Sequence, residues 1–332
     1  MRFALLLLAC LSTLGSAAAN DTILIKFSHV VAPDTPKGRA AEKFKELAEK
    51  MSAGRVKVQL YPNGQLYKDR EEMAALQRNA VQILAPSLSK FGALGLRQFE
   101  LFDLPYIFPN DKVLYRVMDG EIGQGLLRQL NSKGIVGLAY WDNGFKHFSA
   151  NRPLRTPADF KGLRMRIQAS KVLEAQMKSL GAVPKVIAFS EVYSALQQQV
   201  IDGAENPESN FRTQRMHEVQ KHLTLSQHGY VGYAVIVNKT FWEGLPTDLR
   251  AQLSTAMQLA TAYERQIADE ENRRALEEVR AAHTTEIYVL PLADREILRK
   301  QMLPVHREFL DIIGKDLIYG TYRIAAEVAA GK

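Results

Sequence analysis

The sequence predicts an α/β protein with two α/β units, a crevice between them, and one long helix bridging both. Three features carry this expectation. Strand and helix patterns alternate from residue 22 to 85, and the alternation recurs with different residues from 134 to 199. A stretch from Thr247 to about Thr284 then contains neither Pro nor Gly. The 332 residues correspond to roughly two domains of ordinary size. A composition 46% hydrophobic and 24% charged is globular and excludes disordered or collagen-like chains.

Residues 1–19, MRFALLLLACLSTLGSAAA, read as a cleavable signal peptide. Arg2 gives a positive start, Phe3 to Leu11 an apolar run, and Ala17-Ala18-Ala19 a small-residue cleavage pattern. The apolar run is too short to cross a bilayer, and nothing later is apolar enough to span one. Cys10 is the single cysteine and departs with the peptide, so the exported product cannot form a disulfide of its own. An exported product follows.

Thr22–Val30 is rich in β-branched residues and reads as a strand. After the loop APDTPKG, an amphipathic helix runs from about Arg39 to Lys50. Val56–Tyr61 alternates as a strand and ends at the turn Pro62-Asn63-Gly64. Asp69–Asn79 reads as helix and Val81–Ala85 as a short buried strand. In the second run, Gly134–Tyr140, His147–Ala150, Leu163–Gln168 and Val186–Phe189 read as strands, with a helix over Lys171–Leu180. Ser190 is expected to cap a helix through Gln199, and Tyr233–Asn238 is a further strand. The alternation implies a mostly parallel sheet covered on both faces. The Pro- and Gly-free stretch carries Leu249, Leu253, Met257, Ala260, Tyr263 and Ile267 at helical spacing. Such a helix would be about 55 Å long.

Motifs for catalysis are missing. The sequence has no G-x-S-x-G, H-E-x-x-H or P-loop, and Gly120, Gly123 and Gly125 are wrongly spaced for a dinucleotide fingerprint. His217 and His222 are five apart and fall on different helix faces, so no metal site is expected, nor any other cofactor. The net charge of +7 is not gathered into a tract interleaved with aromatics, so nucleic acid is not an expected partner. Polar residues near strand ends remain. Arg164 and Arg166 share one face of a strand, and a buried Arg fork suits a carboxylate; a surface salt bridge is the alternative. Lys146 sits at the junction of the two units, Asn206 follows a helix break, and Ser87 and Ser89 follow Pro86 at a strand end.

Together these segments resemble the solute-receptor subunit of TRAP transporters, the DctP-type family, through essentially all of the chain after residue 19. FKGLRMRIQAS and AFSEVYSALQQQVIDGAENPESNFRTQRMHEVQKHL carry the resemblance, supported by FSHV, YPNGQLYKDRE and HGYVGYAVIVNKTFWEGLP. The resemblance implies a two-lobe, Venus-flytrap periplasmic binding protein that closes on an organic acid and passes it to a membrane permease. It implies lobes of residues 20–143 plus 232–271 and of 144–231 plus 272–332. It makes Arg166 the carboxylate fork, Asn206 a hydrogen-bonding ligand residue and Phe189 an aromatic wall. Lys146 stands where sialic-acid receptors of the family have arginine, which points to the C4-dicarboxylate branch; Ala204 replaces a commoner Gln.

A dicarboxylate needs two separated cations, because an unpaired buried anion costs several kcal/mol. Arg166 would serve one end and Lys146 or Lys37 the other, with Ser87 and Tyr233 between and His29 as a further candidate. Malate, succinate and fumarate rank first. A receptor for a sugar acid, aromatic acid or 2-oxo acid is the alternative, and an exported enzyme using Glu205 is the remaining one, with no nucleophile–base pair to support it.

Overall fold

A computed structural model describes residues 22–332; the expected signal peptide lies outside the described residues. Among the described residues nine strands form one sheet: β1 (Ile23–Ser28), β2 (Val56–Tyr61), β3 (Ile83–Leu84), β4 (Ile135–Ala150), β5 (Arg164–Ile167), β6 (Val183–Val186), β7 (Gly203–Asn206), β8 (His222–Asn238) and β9 (Glu286–Val289). Their order is β2-β1-β3-β8-β4-β7-β5-β6, with β9 added on β8. The sheet is mixed rather than mostly parallel. Its flanks are parallel, but β3–β8, β8–β4 and β4–β7 are antiparallel. The cause is the pair of long strands, β4 of 16 residues and β8 of 17, which lie side by side from Ile135↔Asn238 to Ala150↔His222.

Each half of this ribbon belongs to a different lobe. The end of β8 and start of β4 pair into β3-β1-β2, whereas their other halves meet β9 and β7-β5-β6. The sequence shows β4 only as two pieces, because WDNGFK looks like a loop; its polar side chains Asp142, Asn143 and Lys146 are instead buried. The first half of β8 likewise escapes a hydrophobicity reading. Bulges at Gly137/Ala139, Asp142/Gly144 and Lys146/Phe148 bend β4 along its length.

The helix Thr247–Ala282 extends over 36 residues. Leu249, Leu253, Met257 and Ala260 pack with Phe27, Phe44 and Trp141 in the first lobe, while Val279 joins Leu196, Phe211 and Leu223 in the second. It therefore bridges both lobes. Helix Pro36–Met51 begins earlier than its apolar period suggests, because Thr35 caps it, accepting from the Gly38 N–H at 3.1 Å, and Pro36 fits its first turn. Ser190 makes no cap; it lies in a 3-10 turn (Phe189–Glu191) ahead of helix Val192–Gln197. The β6 strand ends at Val186, just where a strand was expected to start.

The chain end packs against both parts of the molecule. Leu298 and Met302 pack with Phe148 and Met165 in the second lobe, but Val305, Phe309, Ile313 and Ile318 fill the first-lobe core beside Phe99, Leu126 and Tyr140. The apolar side of helix Lys315–Ala329 draws the chain back across.

Candidate functional site

The β5 strand alternates between two environments. Met165 and Ile167 point into the second-lobe core, so Arg166 points the other way, toward the cleft, yet it is only 3% exposed. Its Nε donates to the Ile187 carbonyl at 3.0 Å, which fixes the plane of the guanidinium. The guanidinium carbon lies 5.8 Å from the centre of the Phe189 ring. Burial works against the charge of Arg166, and the carboxylates of Asp69 and Glu205 support it.

Arg166 lines a narrow cavity of about 20 Å³ between the lobes, together with Ser87, Gln168, Phe189, Asn206 and Tyr233. The first lobe contributes Ser87 and Tyr233, which form an isolated bridge between chain segments. The second contributes Asn206 from the end of β7, its Nδ2 3.4 Å from the Met216 sulfur. Two bonds close over the cavity: Gln168 Nε2 donates to Ser87 Oγ at 2.7 Å, and the Phe189 N–H donates to Asp69 Oδ2 at 2.7 Å. The Tyr233 hydroxyl and Asn210 Oδ1 are buried at the cavity without a hydrogen-bonded partner among the described residues. The polar groups of this lining match the hydrogen-bonding oxygens of a small solute, for which the lobes must part.

Three residues singled out from the sequence lie elsewhere. Lys146 is turned away from the cavity: its Nζ is 2.6 Å from Glu205 Oε1, and both side chains are 1% exposed. The register explains it. His147 pairs with Asn206 and Phe148 with Glu205, so Lys146 and Glu205 share the face opposite Asn206. Glu205 also accepts from Gln176 Nε2 at 3.1 Å and meets His228 Nε2 at 2.8 Å. Burial alone would raise the Glu205 pKa, but Lys146 and His228 outweigh it and hold it at about 2. This carboxylate, weighed above for catalysis, is thus fully engaged. Lys37 lies one layer behind the cavity, with Nζ 2.9 Å from the Ala85 carbonyl and 3.6 Å from the centre of the Tyr233 ring. Burial and then the charge of Lys90 lower its pKa to about 7. His29 is 2% exposed and absent from the lining; burial and Lys37 bring it down to about 3, so it is neutral.

Sequence reasoning missed Lys90 and Asp69, which do line the cavity. Lys90 Nζ is 2.5 Å from Asp69 Oδ1 and also contacts Glu72 Oε1. Burial opposes its charge, but Glu72 and Asp69 more than compensate and raise its pKa. Burial would also raise Asp69, yet Lys90 holds it at about 2, whereas Glu72 is raised by burial. A signal was present: Lys90 stands between Leu88 and Phe91, a lysine inside an otherwise buried run. Arg164, by contrast, forms a bidentate pair with Asp202 at 2.6 and 2.9 Å, outside the cavity. Among the described residues, no group of three or more His, Cys, Asp or Glu is placed to hold a metal ion, and no helix is long and apolar enough to cross a membrane.

A two-lobe α/β frame closed over a polar cavity defines a binding protein, and the chain belongs to family 7 of the bacterial extracellular solute-binding proteins (DctP), whose pattern matches residues 27–311. It is 58% identical over 314 residues to the C4-dicarboxylate-binding periplasmic protein DctP of Rhodobacter capsulatus, covering 95% of this chain and 94% of that one. Among solved structures it is similar to a TRAP periplasmic solute-binding protein from Shewanella oneidensis with bound succinate, at 43% identity and a TM-score of 0.89, covering 91% of this chain and 99% of that one. A TRAP solute-binding protein from Pseudomonas aeruginosa with bound L-malate follows at 40% identity and a TM-score of 0.84, covering 86% and 99%.

Proposed function

We propose that this chain is the receptor of a TRAP transporter, that it works in the periplasm after export, and that it closes its lobes on a C4-dicarboxylate and hands it to a membrane permease. Malate, succinate and fumarate are the ligands of first choice. The observation that carries the reading is the buried Arg166 fork at the cleft, oriented through Nε on Ile187. Its other N–H groups are free to hold one carboxylate in bidentate fashion. Asn206, Ser87 and Tyr233 would hydrogen-bond the solute, and Phe189 would wall it. The relatives that bind C4-dicarboxylates, succinate and L-malate support the substrate class.

Thermal or urea unfolding in the presence of candidate acids tests it. A true ligand at 100 times its dissociation constant stabilises the folded protein by about 2.7 kcal/mol. Succinate, malate or fumarate should do so, and Arg166→Ala should abolish the effect while still folding. If every C4 diacid fails and a sugar acid or monocarboxylate succeeds, the substrate class is wrong.

A further inference from the structure

The charges around the cavity cancel before any solute arrives. Arg166 and Lys90 supply two positive charges, and Asp69 and Glu72 supply two negative ones when ionised. All four side chains are buried or nearly so, with Asp69 the most open at 16%. A dianion entering this site would leave an excess of negative charge in a poorly solvated place, which is strongly unfavourable unless another group compensates. The second cation must also lie across the cleft from Arg166. Lys90 is that group: it lines the same cavity from the first lobe, and its two carboxylate partners already hold its ammonium in place.

We propose that Lys90 receives the second carboxylate of the ligand and that the added negative charge is balanced by a proton taken up at Lys37, behind Tyr233. This rests on the dicarboxylate reading above. The Lys37 ammonium sits on the Tyr233 ring at 3.6 Å, so a carboxylate near Lys90 and Tyr233 acts on it at short range. The charged or titratable groups facing Lys37 are Lys90, Glu72, Asp69 and His29. Lys90 depresses its affinity for a proton, Glu72 and Asp69 raise it, and His29 is neutral. The ligand's second carboxylate offsets the repulsion from Lys90, and Lys37 is then protonated more fully. With an unliganded pKa of about 7, Lys37 is already charged below neutrality, so the linkage operates above it. Affinity weakens as pH rises from 7, because the proton must be acquired on binding. Glu72, raised by burial, is the other group able to take it.

Titration calorimetry with succinate in phosphate and Tris buffers, from pH 6.5 to 8.5, counts the protons exchanged. Net uptake rising above pH 7, with Kd weakening by up to about tenfold per pH unit, is the expected result. Lys37→Met should bind succinate with no uptake; uptake unchanged in that variant, or transferred to Glu72 as shown by its loss in Glu72→Gln alone, overturns the assignment. Lys90→Gln should weaken succinate by at least about 30-fold, the effect of removing one partner of a buried charge contact. It should leave a monocarboxylate such as butyrate within a few fold. Because Lys90→Gln strands Asp69 and Glu72, the double variant Lys90→Gln/Glu72→Gln is measured beside it, and retained preference for the diacid in either overturns the role of Lys90. Failure of all C4 diacids to bind the unaltered protein sinks the substrate reading instead, which is a different outcome from tight binding without protons.

Discussion

His228 shows how far the buried polar residues depend on each other. It is fully enclosed, stacks on Phe148 with ring centres 3.5 Å apart, and bonds both Ser226 and Glu205. Burial lowers its pKa to about 4 despite the support of Glu205. The unfolded chain therefore binds a proton near pH 6.5 that the folded chain refuses until about 4, so this residue contributes stability above pH 6.5 that is lost as pH falls toward 4. Urea unfolding at pH 7 and pH 5 should show the unaltered protein losing about 2 kcal/mol more than His228→Gln. Equal losses would mean that folding leaves the His228 pKa unshifted. At this scale the sequence was only partly legible. Arg166, Asn206, Phe189, Ser87 and Tyr233 all reach one cavity, whereas Lys146, Lys37 and His29 do not. Spacing tells which residues share a strand face, as Arg164 and Arg166 do, but not which cation already has a buried anion. The pairing of Lys146 with Glu205 is silent in the sequence because the two lie 59 residues apart, on strands whose register no local pattern reveals.

Among the elements, β4 departs most from its sequence signal. Asn143 and Gly144 sit at its central bulge, and the long helix grips them there: Asn272 Nδ2 donates to the Asn143 carbonyl at 2.7 Å, and Asn272 Oδ1 accepts from the Ser209 N–H at 3.0 Å. Gly144 has φ +119°, and a Cβ there would stand 2.7 Å from Asn272 Nδ2. The amide cannot withdraw without breaking its bonds to β4 and to the helix Glu208–Thr213. Gly144→Ala should cost about 1–3 kcal/mol, seen as a lowered urea midpoint at unchanged slope. A midpoint equal to that of the unaltered protein would show that the bulge tolerates a side chain. The long helix, in contrast, was readable at once, since a Pro- and Gly-free run with apolar residues at helical spacing has few other solutions. Polar residues that are buried for tertiary reasons erase the strand signal; an amphipathic helix keeps its own.

For the molecule as a whole, two units and a crevice follow from the order of strand and helix patterns, but the path of the chain between them does not. Nothing in the local sequence says that residues after 303 return to the first lobe. The four side chains Val305, Phe309, Ile313 and Ile318 are at most 4% exposed. At about 1.5–3 kcal/mol each, their burial amounts to roughly 6–12 kcal/mol, comparable to the whole stability of about 5–15 kcal/mol of a typical domain. Truncation after Leu303 should therefore leave a chain without a cooperative unfolding transition by circular dichroism. A truncated protein that still melts sharply would show the C-terminal segment to be dispensable packing. The paired strands β4 and β8 have a further consequence for movement. Two lobes that share a continuous hydrogen-bonded ribbon, with the long helix beside it, cannot slide along the strands without breaking its ladder. Arg166 and Lys90 belong to the opposite lobes that this ribbon holds in register. The alignment with which they meet is thus fixed by strand register when the protein folds, and every later cycle of capture and release inherits it.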